Sequence, residues 1–102
     1  PVSNPSGRRF EWTVRSVLES YSWVAIRATR SKPLDLVALK DGKILLTECK
    51  YNTRYPMNIV HCLRRLAEKA GAEPTLAVKK KYEKSITFIN MYAGGEVDFE
   101  EV

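Results

Sequence analysis

The chain has 102 residues, 44% of them hydrophobic and 28% charged, and a formal net charge of +5. That balance is ordinary for a soluble globular protein, and the length predicts one domain over residues 1–102. No run of eighteen apolar residues and no signal-peptide pattern occurs, which excludes a membrane-spanning helix and predicts a cytoplasmic protein.

Pro1 implies that an initiator methionine or a longer leader has been removed. Cys49 and Cys62 give neither a disulfide framework nor a zinc spacing, and His61 has no metal-ligand partner at helical spacing. No glycine-rich phosphate loop is present, which argues against a nucleotide cofactor. All 17 lysines and arginines lie at or before Lys84, against 8 of the 12 acids, so this part carries +9. Glu96, Asp98, Glu100 and Glu101 follow with no base. A basic body with a short acidic end suits a polyanion, with nucleic acid ahead of a membrane surface.

In chain order, residues 1–6 read as a flexible lead-in ending in capping residues. A helix is predicted from Gly7 to Tyr21, because Phe10, Val14, Val17, Leu18 and Tyr21 recur at spacings of three and four. Glu11 borders that stripe. It is either one half of a helical ion pair with Arg15 or a third carboxylate able to reach the hairpin described next. Trp23 to Ala28 reads as a strand, and Thr29 to Pro33 as a polar loop carrying Arg30, Ser31 and Lys32.

Leu36 to Thr47 reads as strand, turn, strand, with Asp41-Gly42 supplying the positive φ of a primed turn. The fold-back brings Asp35, at the start of one strand, near Glu48 and Lys50 at the end of its partner. Glu48 and Lys50 are two residues apart and so share a face. Both faces of the second strand start apolar, which predicts a central strand covered on two sides. Charge at the end of such a strand is costly without partners, and this marks a site. Two carboxylates and an ammonium suit a divalent metal and a phosphodiester.

A second helix is predicted from Pro56 to Ala70, with Met57, Val60, Leu63, Leu66, Ala67 and Ala70 inward and Gly71 as its stop. Thr75 to Val78 is the next strand, reached by a right-handed parallel crossover. Lys79-Lys80-Lys81 then form a solvated turn or a DNA-facing rim. Ile86 to Tyr92 is the last strand, and residues 94–102 read as a mobile acidic tail. The fold class is therefore α/β: an αβββαβ core and one further strand, a mixed sheet flanked by helices.

Pro33-Leu34-Asp35 with Glu48-Cys49-Lys50 resembles the PD-(D/E)xK nuclease motif. Gly7-Arg8-Arg9-Phe10-Glu11, Ala25-Ile26-Arg27 before the Ser31 loop, and Ala72 to Lys79 resemble the archaeal-type (Hjc/Hje-like) Holliday junction resolvases over roughly residues 7–92. The resemblance implies a restriction-endonuclease-like core and assigns Glu11, Asp35 and Glu48 to Mg²⁺, with Mn²⁺ as substitute. It gives Lys50 the transition state or the attacking water, Ser31 a part in cleavage, and Arg27 a part in activity. Arg8, Arg9, Arg27, Arg30 and Lys32 are then expected to contact DNA. The pattern departs at Trp12, where the family places a basic residue after the helix-one glutamate.

The activity so implied is structure-selective cutting of four-way DNA junctions by paired nicks, in recombination and repair. Two symmetric nicks call for a homodimer, and burying more apolar area suits so short a chain. Another nuclease of the same fold, of phage nicking or restriction type, stays open as an alternative. So does a non-catalytic DNA-binding module. RNA is the weaker substrate, because no aromatic single-strand platform is apparent.

Overall fold

The computed structural model describes residues 5–28, 34–52 and 54–99. Among them the elements run α1 (Pro5–Ser20), β1 (Val24–Arg27), β2 (Leu36–Lys40), β3 (Lys43–Tyr51), α2 (Met57–Ala70), β4 (Glu73–Lys79) and β5 (Thr87–Asn90). This is the expected α/β order. The strands form one sheet in the order β1-β2-β3-β4-β5. Every neighbouring pair is antiparallel except β3 and β4, which α2 joins in parallel.

Asp41 and Gly42 take φ values of 48° and 78°, the paired left-handed geometry of a primed two-residue turn. That turn fixes the register Lys40↔Lys43 and, at the other end of the hairpin, Leu36↔Thr47. Because side chains alternate along a strand, consecutive residues of β3 enter different cores. Leu45 joins Phe10, Val14 and Leu18 of α1 on one face. Leu46 joins Leu63 and Ala67 of α2 on the other. β3 is thus covered on both sides, as its apolar start required. Gly71, with φ 66°, ends α2, and the Ala72 amide donates back to the Ala67 carbonyl at 2.8 Å.

Three expectations need correction. The inward stripe of α2 is narrower than its sequence suggests. Val60, Leu63 and Ala67 are buried, while Met57, Leu66 and Ala70 are exposed. α1 begins at Pro5, inside the expected lead-in, since proline is tolerated in a helix's first turn. The acidic end is not a free tail as far as residue 99. Glu96 bridges Ile89, the Val97 amide donates to the Phe88 carbonyl, and Phe99 is buried against Tyr21, Trp23 and Phe88. Among the described residues, no helix is long and apolar enough to cross a membrane.

Candidate active site

Asp35 is held by the backbone on two sides. Its amide donates to the Thr47 carbonyl of β3 at 2.9 Å, and its carbonyl accepts from the Ala28 amide at 2.8 Å. The next β3 amide facing that side, Cys49, donates to the Asp35 carboxylate at 2.8 Å. The side chain thus takes the ladder position that backbone would otherwise fill. A short strand ends here, and its first acid completes the pairing.

Glu48 is buried, 6% exposed, and faces Leu76 of β4 in the register. Lys50 Nζ lies 3.4 Å from Glu48 Oε2. The Glu48 carboxyl is pushed up from 4.5 to about 8, first by burial, then by its hydrogen bond to Asp35 and by the Asp35 charge. Lys50 pulls the other way and does not prevail. In that state Glu48 keeps its proton near neutral pH, hydrogen-bonded to Asp35. Burial also pushes the Cys49 thiol up, and the charges of Asp35, Glu11 and Glu48 add to it. Cys49 is therefore a small half-buried side chain and no nucleophile. Asp35, Glu11 and Glu48 are thus all near enough to act on this one side chain.

Glu11 on α1 is turned toward β1, with Oε1 3.1 Å from Nε of Arg27. The helical pairing with Arg15 does not form, because Arg15 bonds Glu19 instead at 3.3 Å. Among the described residues, no three acids, histidines or cysteines stand close enough to hold a metal ion as they are. The donor set still fits one. Asp35 and Glu48 offer hard carboxylate oxygens, and the proton between them is what a divalent cation would replace. Glu11 would complete the set by leaving Arg27.

Around this centre, Arg8 and Arg9 are exposed on α1 at positions 100° apart. Arg9 lines an open depression of about 220 Å³ with Phe10, Thr13, Tyr51 and Lys79. Lys79 Nζ sits 5.8 Å from the Tyr51 ring centroid. Sequence reasoning did not single out Tyr51 or Thr13. The signal was the parallel register, which sets Tyr51 beside Lys79 at the ends of adjacent strands. Ser31, Arg30 and Lys32 lie outside the described residues.

A family model described as archaeal Holliday junction resolvase (Hjc) matches residues 2–96. The crossover junction endodeoxyribonuclease Hjc of Methanocaldococcus jannaschii is 31% identical over 90 residues, covering 84% of this chain and 66% of that protein. The chain thus spans just under two thirds of this curated relative. The solved structure of Archaeoglobus fulgidus Hjc, a Holliday junction resolvase, superposes with a TM-score of 0.73 at 26% identity. It covers 85% of this chain and 74% of that one.

Proposed function

The chain belongs to the archaeal Holliday junction resolvase family, and from that premise we propose that it is a metal-dependent endodeoxyribonuclease that cuts four-way DNA junctions. Its setting is recombination and repair of intracellular DNA. The observation that carries the reading is buried Glu48 with half-buried Asp35 and Lys50 beside it at the open end of the hairpin. Such a group is costly to fold around and suits a divalent cation at its carboxylates together with a phosphodiester at its ammonium.

In this reading Asp35, Glu48 and a redirected Glu11 hold Mg²⁺ or Mn²⁺. When bound, the ion supplies Lewis acidity and a water acidic enough to attack phosphorus. Glu48 would have to be ionised to hold the ion, so its raised carboxyl would lose its proton there. Asp35 keeps its backbone-fixed position, so the carboxylate defines where the phosphate must come. Lys50 directs an ammonium at the charge that develops on the phosphoryl oxygens. Arg27, released by Glu11, is free to pair with a neighbouring phosphate. Arg8, Arg9 and Lys79 extend the cationic track to either side of α1. Ser31, Arg30 and Lys32 belong to the same reading through the family resemblance.

Two nicks in opposed strands require two sites, and the reading includes a homodimer. α2 covers β3 and β4, and it leaves the same face of β1 and β2 open. Val24, Ile26 and Leu39 are 59%, 50% and 37% exposed there, and Leu66 of α2 is 39% exposed. These are apolar surfaces that a second copy would cover.

The test is cleavage of a synthetic four-way junction with Mg²⁺ or Mn²⁺, with a linear duplex of matched sequence as control. Paired nicks in the junction and an intact duplex are expected. Equal cutting of both would mean a restriction-type nuclease. Tight binding with no metal-dependent turnover would leave only a DNA-binding module.

A further inference from the structure

α1 buries Phe10, Val14 and Leu18 and turns its other sides to solvent. On one of those sides stands Trp12, 56% exposed. An indole is among the largest apolar groups a chain can carry, and nothing in the packing of the two cores uses this one. It is also not loose. The Arg15 guanidinium lies 5.4 Å from its ring centroid, and Glu19 holds that guanidinium at 3.3 Å. Arg8, one turn earlier, lies on the same side of the helix. The result is an ordered aromatic plane bracketed by two cations.

Its position gives it a use. Trp12 directly follows Glu11, whose carboxylate is held by Arg27 on β1, and Arg27 pairs with Leu36, the residue after Asp35. Trp12 stands one residue along and about 100° further round the helix from Glu11. DNA with its phosphate at Asp35 and Glu48 would pass beside α1, where the indole is exposed to solvent. Within duplex DNA each base is covered on both faces, and exposing one requires unstacking. An unpaired base has no such barrier. The branch point of a junction is where continuous stacking is interrupted, so a base there opens more easily than one inside a closed duplex.

We propose that Trp12 is a base-stacking residue that reads the opened nucleotide beside the cut, and so sets the preference for junctions over closed duplex. The inference rests on the function proposed above. An aromatic plane accepts any base, because every base has a π-face, and an arginine beside it adds cation–π attraction and a phosphate contact. A protein partner would also use an exposed tryptophan, but an apolar partner gains nothing from Arg8 and Arg15 around it.

The experiment uses the full chain carrying Asp35→Asn, so that DNA is bound and not consumed. Trp12→Ala and Trp12→Phe are added in turn, and four-way junction and matched duplex are titrated by anisotropy. Trp12→Ala should weaken junction binding by about 5- to 100-fold, and Trp12→Phe by no more than about 3-fold. Duplex binding should change less than about 2-fold. The chain has two tryptophans, and Trp23 is buried. Junction should therefore quench the parent's emission, and Trp12→Phe should remove that quenching. Unchanged thermal melting excludes a folding defect at this exposed site. Equal losses on junction and duplex overturn the proposal and leave a backbone contact. Unchanged junction binding overturns it too, and leaves the indole as a protein-docking residue. In both cases junction cutting by the wild-type chain keeps the proposed function intact. A wild-type chain that neither binds nor cuts junctions removes both readings together.

Discussion

The two ends of the β2–β3 hairpin carry the same residue types and do opposite things with them. At the turn, Asp41 and Lys43 are exposed, and Lys40 donates its ammonium to the Tyr21 carbonyl at 2.8 Å. The Lys40 ammonium also faces the Trp23 ring at 5.9 Å, and no carboxyl is buried there. At the open end, Asp35 and Lys50 stand beside Glu48, which is buried deeply enough to keep its proton near neutral pH. The difference is solvent access and the neighbouring acid, not composition. Acid and base at a strand end thus become a site when they must answer one another.

Exchanging acids for amides at each end should break the comparison most sharply. Asp35→Asn and Glu48→Gln are expected to lower junction cleavage by roughly 10³-fold or more, because each removes a ligand and a charge from the reacting centre. DNA binding should hold or tighten, since repulsion falls. Asp41→Asn at the turn should leave cleavage within about 2-fold. Single-turnover rates with Mg²⁺ decide this, and full activity in either open-end variant would refute the assignment.

Stability against pH separates the ends next. The folded-state value of Glu48 is raised, so its protonated form favours folding fully below about 4.5. That contribution is lost progressively as pH rises toward about 8. Across this window, metal-free protein should lose on the order of a few kcal/mol more than Glu48→Gln does. Urea midpoints at pH 5 and pH 9 in chelator measure it, and parallel curves for the two proteins would exclude a buried proton on Glu48. The same proton should be released when Mg²⁺ or Mn²⁺ binds at pH 7.

The smallest effect belongs to the turn. Gly42, at φ 78°, has open space around it, so Gly42→Ala meets only backbone strain, about 1 kcal/mol. Its cleavage rate should match wild type when both are folded. A loss of rate larger than the loss of stability would show that the two ends are coupled.

Much of this was legible in the residues. The Asp41-Gly42 turn fixed the hairpin, and the hairpin brought Asp35 to Glu48 without help from any other element. What stayed hidden depended on partners distant in sequence. Glu11 sits at the edge of its helical stripe, and periodicity offers it Arg15 as readily as anything else. Only the packing of α1 on the sheet brings Arg27 to it. Phe99 was hidden by the acids around it, which read as a solvated end, although one ring finds three aromatic neighbours. Met57 and Leu66 were overcounted because the face of α2 that packs is only as wide as Val60, Leu63 and Ala67.

The double tether on Asp35 also decides which parts of the centre can adjust. Its amide and carbonyl are tied to β3 and to Ala28 at the end of β1, so displacing its backbone would tear pairing on both sides of the sheet. Glu11 is restrained by an ion pair with both side chains partly in solvent, 42% and 23% exposed, a contact worth about 1 kcal/mol or less. One jaw of the vice is welded to the frame and the other swings on a weak catch, so tolerance for ligands of different size resides in the helix and not in the hairpin.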